Sequence, residues 1–285
     1  MADGDCFYIE GEPQYVMESR IRIIREFEDL QFKEDGHRYF LHGEELQSAS
    51  GIGKRFIEFP FNEQEQAERY AKRHGETPGH WIRQWRCNSF RATTLGTRTH
   101  EFAESLSYCM AGHPELIRPN VLPQYDCGLG YLAPITSTEE AAEHFLKELG
   151  PSYHLVLNEA RVYSGKNPVP ERNLKERICG TFDMLYWYDG KDGKGSPGFV
   201  IMDYKTNSSL ENRYNREHMR KLLDPFSDMI EEDLNLYTIQ LSLYALMLED
   251  IGIGIVSRRI IWLCNDGTYQ VIPVHDVSDR LRKVL

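Results

Sequence analysis

Phe199-Val-Ile-Met-Asp-Tyr-Lys-Thr206 begins as an apolar run and ends on an acid, an aromatic and a base. So short a run, bounded by a turn-rich segment, reads as a strand. Side chains two apart in a strand share a face, which sets Asp203 and Lys205 side by side at the end of that apolar run. Upstream, Gly180-Thr-Phe-Asp183 lies in a second strand, Arg177–Tyr188, and Asp189-Gly-Lys-Asp-Gly-Lys-Gly-Ser-Pro-Gly198 joins the two as a hairpin. Antiparallel pairing across that hairpin brings Asp183 toward Asp203. Two carboxylates converging in a polar pocket suit a hard divalent cation, which takes oxygen ligands and keeps several waters.

The neighbouring segments extend the pattern. A strand at Tyr153–Tyr163 precedes the hairpin, a long helix at about Glu231–Asp250 follows it, and strands near Ile255–Leu263 and Tyr269–Val274 complete the C-terminal half. Ser137-Thr-Glu-Glu140 reads as a capping box that opens a helix ending at Gly150. Residues 62–75 and 95–111 read as further helices, and residues 1–50 as short alternating runs with a hairpin around Asp35-Gly36. The expected fold is α/β, a central mixed sheet flanked by helices.

At 285 residues and 41% hydrophobic content the chain can bury a sizeable core. No window holds the roughly 18 apolar residues of a membrane span, and the first residues are acidic where a targeting peptide is basic, so the expectation is a soluble, intracellular protein without a membrane partner. The six cysteines are scattered and read as reduced structural thiols. The net charge of −11 argues against coating nucleic acid by bulk charge. Yet between Thr77 and His100 the only formal charges are Arg83, Arg86, Arg91 and Arg98, interleaved with Trp81, Trp85 and Phe90. Such a segment tracks a phosphate backbone and stacks bases, or it is a partly buried helix whose arginines pair with nearby acids.

G-x-x-D, a turn and then hydrophobic-hydrophobic-D-Y-K-T resembles the signature of the PD-(D/E)XK nuclease superfamily. Leu95-Gly-Thr-Arg-Thr-His100 and Gln240-Leu-Ser-Leu-Tyr244 are similar to elements of its RecB-type exonuclease branch, which includes phage and mitochondrial genome-maintenance exonucleases. The ordered match spans residues 95–264, and His37–Phe61 is more loosely similar to N-terminal segments of phage-type members. The resemblance implies a nuclease core at 95–285 with a DNA-contacting hairpin and helical elaboration at 1–94. It implies phosphodiester hydrolysis in DNA, at single-stranded or free ends, with one or two Mg2+ or Mn2+ ions held by Asp183, Asp203, His100 and the carbonyl of Tyr204. Lys205 is then catalytic, and Glu159 is a further catalytic candidate that reads equally well as a paired structural acid.

Gln240 and Tyr244 are expected to touch the substrate backbone or brace Lys205, with Trp81, Trp85, Arg83, Arg86 and Arg91 as strand contacts. Glu104, one helical turn beyond His100, and Thr206, next to Lys205, are secondary candidates. Many RecB-type relatives hold an iron-sulfur cluster on four cysteines. Here only Cys264 follows the motifs, so no cluster is expected. Ser50-Gly-Ile-Gly-Lys54 is no P-loop, because Ser48 and Arg55 stand where the pattern needs glycine and Ser or Thr.

Overall fold

The structure, a computed structural model, describes residues 12–119, 121, 125–126, 130–131 and 134–285. Helix α1 (Gln14–Phe27) leads into strands β1 (Leu30–Lys33), β2 (Arg38–Leu41) and β3 (Glu44–Ser48). Three helices follow: α2 (Ala49–Lys54), α3 (Glu63–His74) and α4 (Pro78–Ala111). Two short strands, β4 (Tyr125–Asp126) and β5 (Gly130–Tyr131), precede α5 (Ser137–Glu148). Then come β6 (Tyr153–Tyr163), β7 (Ile178–Tyr188), β8 (Gly198–Lys205), α6 (Arg213–Glu217), α7 (Asp233–Glu249), β9 (Ile255–Leu263), β10 (Tyr269–Pro273) and α8 (Ser278–Val284).

Eight strands form one sheet in the order β1-β2-β3-β7-β8-β9-β10, with β6 also paired to β7. Pairs β3·β7 and β8·β9 are parallel and the others antiparallel, so the sheet is mixed as expected. Helices cover both faces. Val16, Ile23 and Phe27 of α1, Ile239 and Leu243 of α7 and Leu281 of α8 build one apolar layer. Phe102 and Leu106 of α4 with Phe145 and Leu146 of α5 build the other. Strand β8 feeds both by alternation, Ile201 into the first and Val200, Met202 and Tyr204 into the second. Helix α7 is buried from Thr238 to Leu248 at every position except the half-buried Gln240, which explains its lack of a polar stripe.

Four details depart from the sequence reading. Residues 14–27 are a helix, because Val16, Ile23 and Phe27 recur at helical spacing beside the alternating runs. Helix α4 starts at Pro78, behind the Thr77 cap, rather than at 95, so the 94/95 division falls inside one continuous helix. The capping box is framed one residue earlier, with the Thr136 side chain accepting from Glu139 N–H and the Glu139 carboxylate accepting from Thr136 N–H. Cys109 is disulfide-bonded, while Cys87, Cys179 and Cys264 are free. No helix among the described residues is long and apolar enough to cross a membrane.

Candidate functional site

Strand β7 has two partners along one edge. Its opening residues, Ile178 and Cys179, pair with Gln47 and Ser48 of β3, while Met184–Tyr188 pair with β8. Between them the ladder opens into a fork just beyond the Met184–Met202 pair. Asp183 and Asp203, which face each other at the next step of the register, sit in that opening. Tyr204 would meet Phe182 if the ladder continued. Instead its N–H donates to Asp183 Oδ2 at 2.7 Å. The Tyr204 ring lies in the apolar layer beside Phe145, so Tyr204 joins the site through its main chain.

On the other side of β7, Glu159 of β6 sits between the pairs Asn158–Met184 and Ala160–Phe182, hence opposite Asp183. Its φ of +48° is unusual for a residue with a side chain and falls inside a strand that runs on to Tyr163. Helix α4 brings His100 to the same place. Its Nδ1 lies 3.2 Å from Glu159 Oε1 and 3.5 Å from Asp183 Oδ2. One ligand atom from each of His100, Glu159 and Asp183 falls within 4.8 Å of the others.

These charges act on one another. Burial works against a charged His100, but Asp183 and the bond to Glu159 outweigh it and push the imidazole up to about 9. Burial and the neighbouring Asp203 charge push Asp183 up to about 7. Burial also works to raise Glu159, yet its bond to His100 and the field of Arg118 hold it below the usual carboxylate range.

Asp203, with a side chain only 1% exposed, touches the Lys205 ammonium. Burial disfavours that ammonium, but Asp203 and Asp183 hold its pKa above the ordinary lysine value. The Lys205 Nζ also lies 4.3 Å from the centre of the Tyr237 ring. Tyr237 is held in turn by its hydroxyl donating to Asn207 Oδ1 at 3.0 Å. It stands one helical turn before Gln240, the one sequence signal that could have marked it.

Close approach explains one of the two motif glycines. A Cβ on Gly180 would lie 2.6 Å from Tyr244 Cε1 and 2.9 Å from its hydroxyl, so the ring packs flat on that strand. Gln240 donates to the Tyr244 hydroxyl at 2.9 Å, and Tyr244 is buried. This pair therefore supports the strand behind Asp183, whereas Tyr237 is the residue against Lys205. A Cβ on Gly96 would lie 3.4 Å from Thr206 Oγ1, which places Thr206 where α4 crosses the end of β8.

The remaining candidates lie outside the cluster. Glu104 is buried on α4 and pairs with Arg118 at 2.7 Å. Arg83, Arg86 and Arg91 are exposed on the first half of α4, where Arg86 pairs with Glu63 of α3 at 2.7 Å. Trp81 and Trp85 are half-buried against Tyr70 of α3, with ring centres 5.2 and 5.4 Å away, so they hold the α3–α4 hairpin together. The most exposed aromatics there are Phe59, Phe61 and Phe90.

The donor set fits a divalent cation on one observation: beside the His100, Glu159 and Asp183 group, which does not itself include the expected ligand Asp203, the buried Asp203 Oδ1 has no hydrogen-bond partner. Carboxylate oxygens with one imidazole suit Mn2+ or Mg2+ better than a thiol-seeking metal. Compared with known proteins, the chain matches no family model and no curated protein.

Proposed function

We propose that this protein is a metal-dependent nuclease that hydrolyses DNA phosphodiester bonds, an exonuclease of the RecB type on a restriction-endonuclease-like core. What carries the reading is the meeting of His100, Glu159 and Asp183 beside an Asp203–Lys205 pair at the fork. Residues from α4, β6, β7 and β8, spread over a hundred positions of sequence, arrive at one point in the order of the motifs that the sequence resembles. His100, Glu159, Asp183 and Asp203 would hold Mg2+ or Mn2+. When bound there, the cation supplies an acidified water and offsets charge that develops on the phosphodiester.

The chain's own residues do the rest. Lys205, fixed between Asp203 and Tyr237 and protonated throughout the neutral range, donates hydrogen bonds to the attacking water or to a phosphate oxygen. Asp183, locked onto Tyr204 N–H, keeps β7 and β8 at a constant separation where their ladder has ended. Gly180 and Tyr244 keep the strand behind Asp183 from shifting. The exposed Arg83, Arg86 and Arg91 face solvent on the projecting half of α4, available to a single strand or a free end.

The test is degradation of end-labelled single- and double-stranded DNA with Mg2+ or Mn2+, comparing wild type with Lys205→Ala and Asp203→Ala. Cleavage by wild type and its loss in both variants is the expected result. A folded wild type that binds DNA and cuts it with neither metal overturns the proposal in favour of a catalytically silent DNA-binding module.

A further inference from the structure

Arg118 lies just past the turn that closes α4, in a stretch with no periodicity to mark it. Its position is determined by Glu104. That carboxylate, 2% exposed in the apolar layer with Phe102 and Leu106, must be paired to be tolerated there. Arg118 satisfies it from main chain and side chain together. Its N–H donates to Oε1 at 3.1 Å, its Nε to Oε2 at 2.9 Å and its Nη2 to Oε2 at 2.7 Å. A guanidinium tied through both its own backbone and its fork has little freedom left.

The same Nη2 stands 3.7 Å from Glu159 Oε2, at the edge of the cluster opposite Lys205. Nη1 meets no hydrogen-bond acceptor among the described residues, and the side chain is 37% exposed. The other cations of the site are committed, Lys205 to Asp203 and His100 to Glu159 and Asp183. The carboxylates of Glu101, Glu104, Glu159, Asp183 and Asp203 meanwhile crowd this end of the sheet, and a phosphodiester brings further negative charge. A substrate anion approaching on the Glu159 side needs a cation with donors to spare.

We propose that Arg118 is that cation: locked by Glu104, it presents its free guanidinium edge to a non-bridging oxygen of a DNA phosphate beside Glu159. This deepens the nuclease reading and rests on it for the identity of the anion. The competing role is structural, a counter-ion that only neutralises Glu104. The two roles separate in Arg118→Lys, where one ammonium can still pair with Glu104 but has no second face to offer. They separate again in the double variant Glu104→Gln/Arg118→Met, which removes the buried charge with its partner.

The experiment is equilibrium binding of a fluorescent single-stranded oligonucleotide in EDTA across a NaCl series, with thermal unfolding of each variant alongside. Expected are an unfolding temperature near wild type for Arg118→Lys, a Kd at least roughly tenfold weaker in both variants, and a salt slope flattened by about 0.7 in the double variant. A double variant that folds and binds with wild-type affinity and slope overturns the clamp and leaves the counter-ion. Because binding is read without metal, a wild type that fails to cut leaves the Arg118 measurement standing. Wild-type cleavage with unchanged binding by the variants rejects Arg118 alone, and a wild type that does not bind the oligonucleotide in EDTA rejects the clamp while the cleavage test still decides the nuclease reading.

Discussion

Helix α4 is one uninterrupted element in two environments. From Thr99 to Tyr108 it is buried or half-buried against the sheet and α5, and it carries His100 and Glu104 inward. From Arg83 to Thr94 it is exposed at every position except the half-buried Trp85, which packs against Tyr70 of α3 and Phe61. The backbone geometry of the two halves is the same; their difference lies in what each residue meets. In the buried half, His100 is placed by two carboxylates from two strands, so a small displacement changes the chemistry. In the exposed half, arginines and Phe90 face water, where affinity builds up from many loose contacts. On the proposed function, catalysis belongs to the buried half and strand capture to the exposed one.

Removing the inward group should break the comparison most sharply. His100→Ala takes away the imidazole between Glu159 and Asp183, and cleavage is expected to fall by about a hundredfold to a thousandfold. Binding of a single strand without metal should stay within about twofold, since the arm is untouched. Equal losses in binding and cleavage would mean that the two halves are not functionally separate.

The inward half should also respond to pH in a way that the arm does not. In the metal-free protein His100, pushed up to about 9, contributes stability that is fully present below its unfolded value of about 6.5 and is lost as pH rises through about 9. Asp183, pushed up to about 7, favours its neutral form, so its contribution fades as pH rises from about 4 toward 7. Both signs make the metal-free protein weaker with rising pH. A cation that displaces the His100 proton binds better over the same interval. The rise in unfolding temperature produced by Mn2+ should therefore grow from pH 6.5 to 9, and His100→Gln should flatten it. A Mn2+ effect independent of pH would remove His100 from the ligand set.

Next in size is packing. Gly180→Ala places a methyl 2.6 Å from a buried ring, and overpacking of this kind costs about 1–3 kcal/mol, a drop of roughly 2–12 °C for a chain of this length. Tyr244→Leu in the same chain should recover part of the loss, the signature of two residues in contact. Gly198 offers the control at the far end of β8. Its added methyl would meet both methyls of Val256, at 2.5 and 2.6 Å, so Gly198→Ala should also destabilise, but this far from the fork it should leave the specific activity of the folded protein intact.

How much of this was legible follows the same division. Strands β6, β7 and β8, the hairpin, and helix α7 were readable because apolar runs with turn residues between them admit few alternatives. Asp183, Asp203 and Lys205 were readable from strand alternation and hairpin pairing. In sequence Glu159 reads equally as a structural acid, because nothing local announces a positive φ inside a strand. Arg118 was invisible, since its place is dictated by Glu104, fourteen residues away across a turn. Tyr244 and Gln240 stood out as a pair, but only packing shows that the ring rests on Gly180. Glu104 was rightly placed a turn beyond His100, yet the partner waiting there was a guanidinium and not a cation site.

The smallest effect expected belongs to the arm, and it sharpens the comparison from the other side. Arg83 and Arg91 have no ion-pair partner among the described residues, whereas Arg86 is engaged by Glu63. Arg83→Ala and Arg91→Ala should each weaken oligonucleotide binding several-fold and flatten its salt slope by about 0.7, the value for one phosphate contact on a single strand. Arg86→Ala should do less, because its charge is already partly spent on Glu63. None of the three should move the unfolding free energy by more than about 0.5 kcal/mol or alter the Mn2+ effect, as all three side chains are exposed and remote from the fork. If instead these arginines change cleavage rate at saturating DNA while leaving affinity alone, the exposed half of α4 positions the substrate within the chemistry, and the boundary drawn along the helix must move toward its N-terminus.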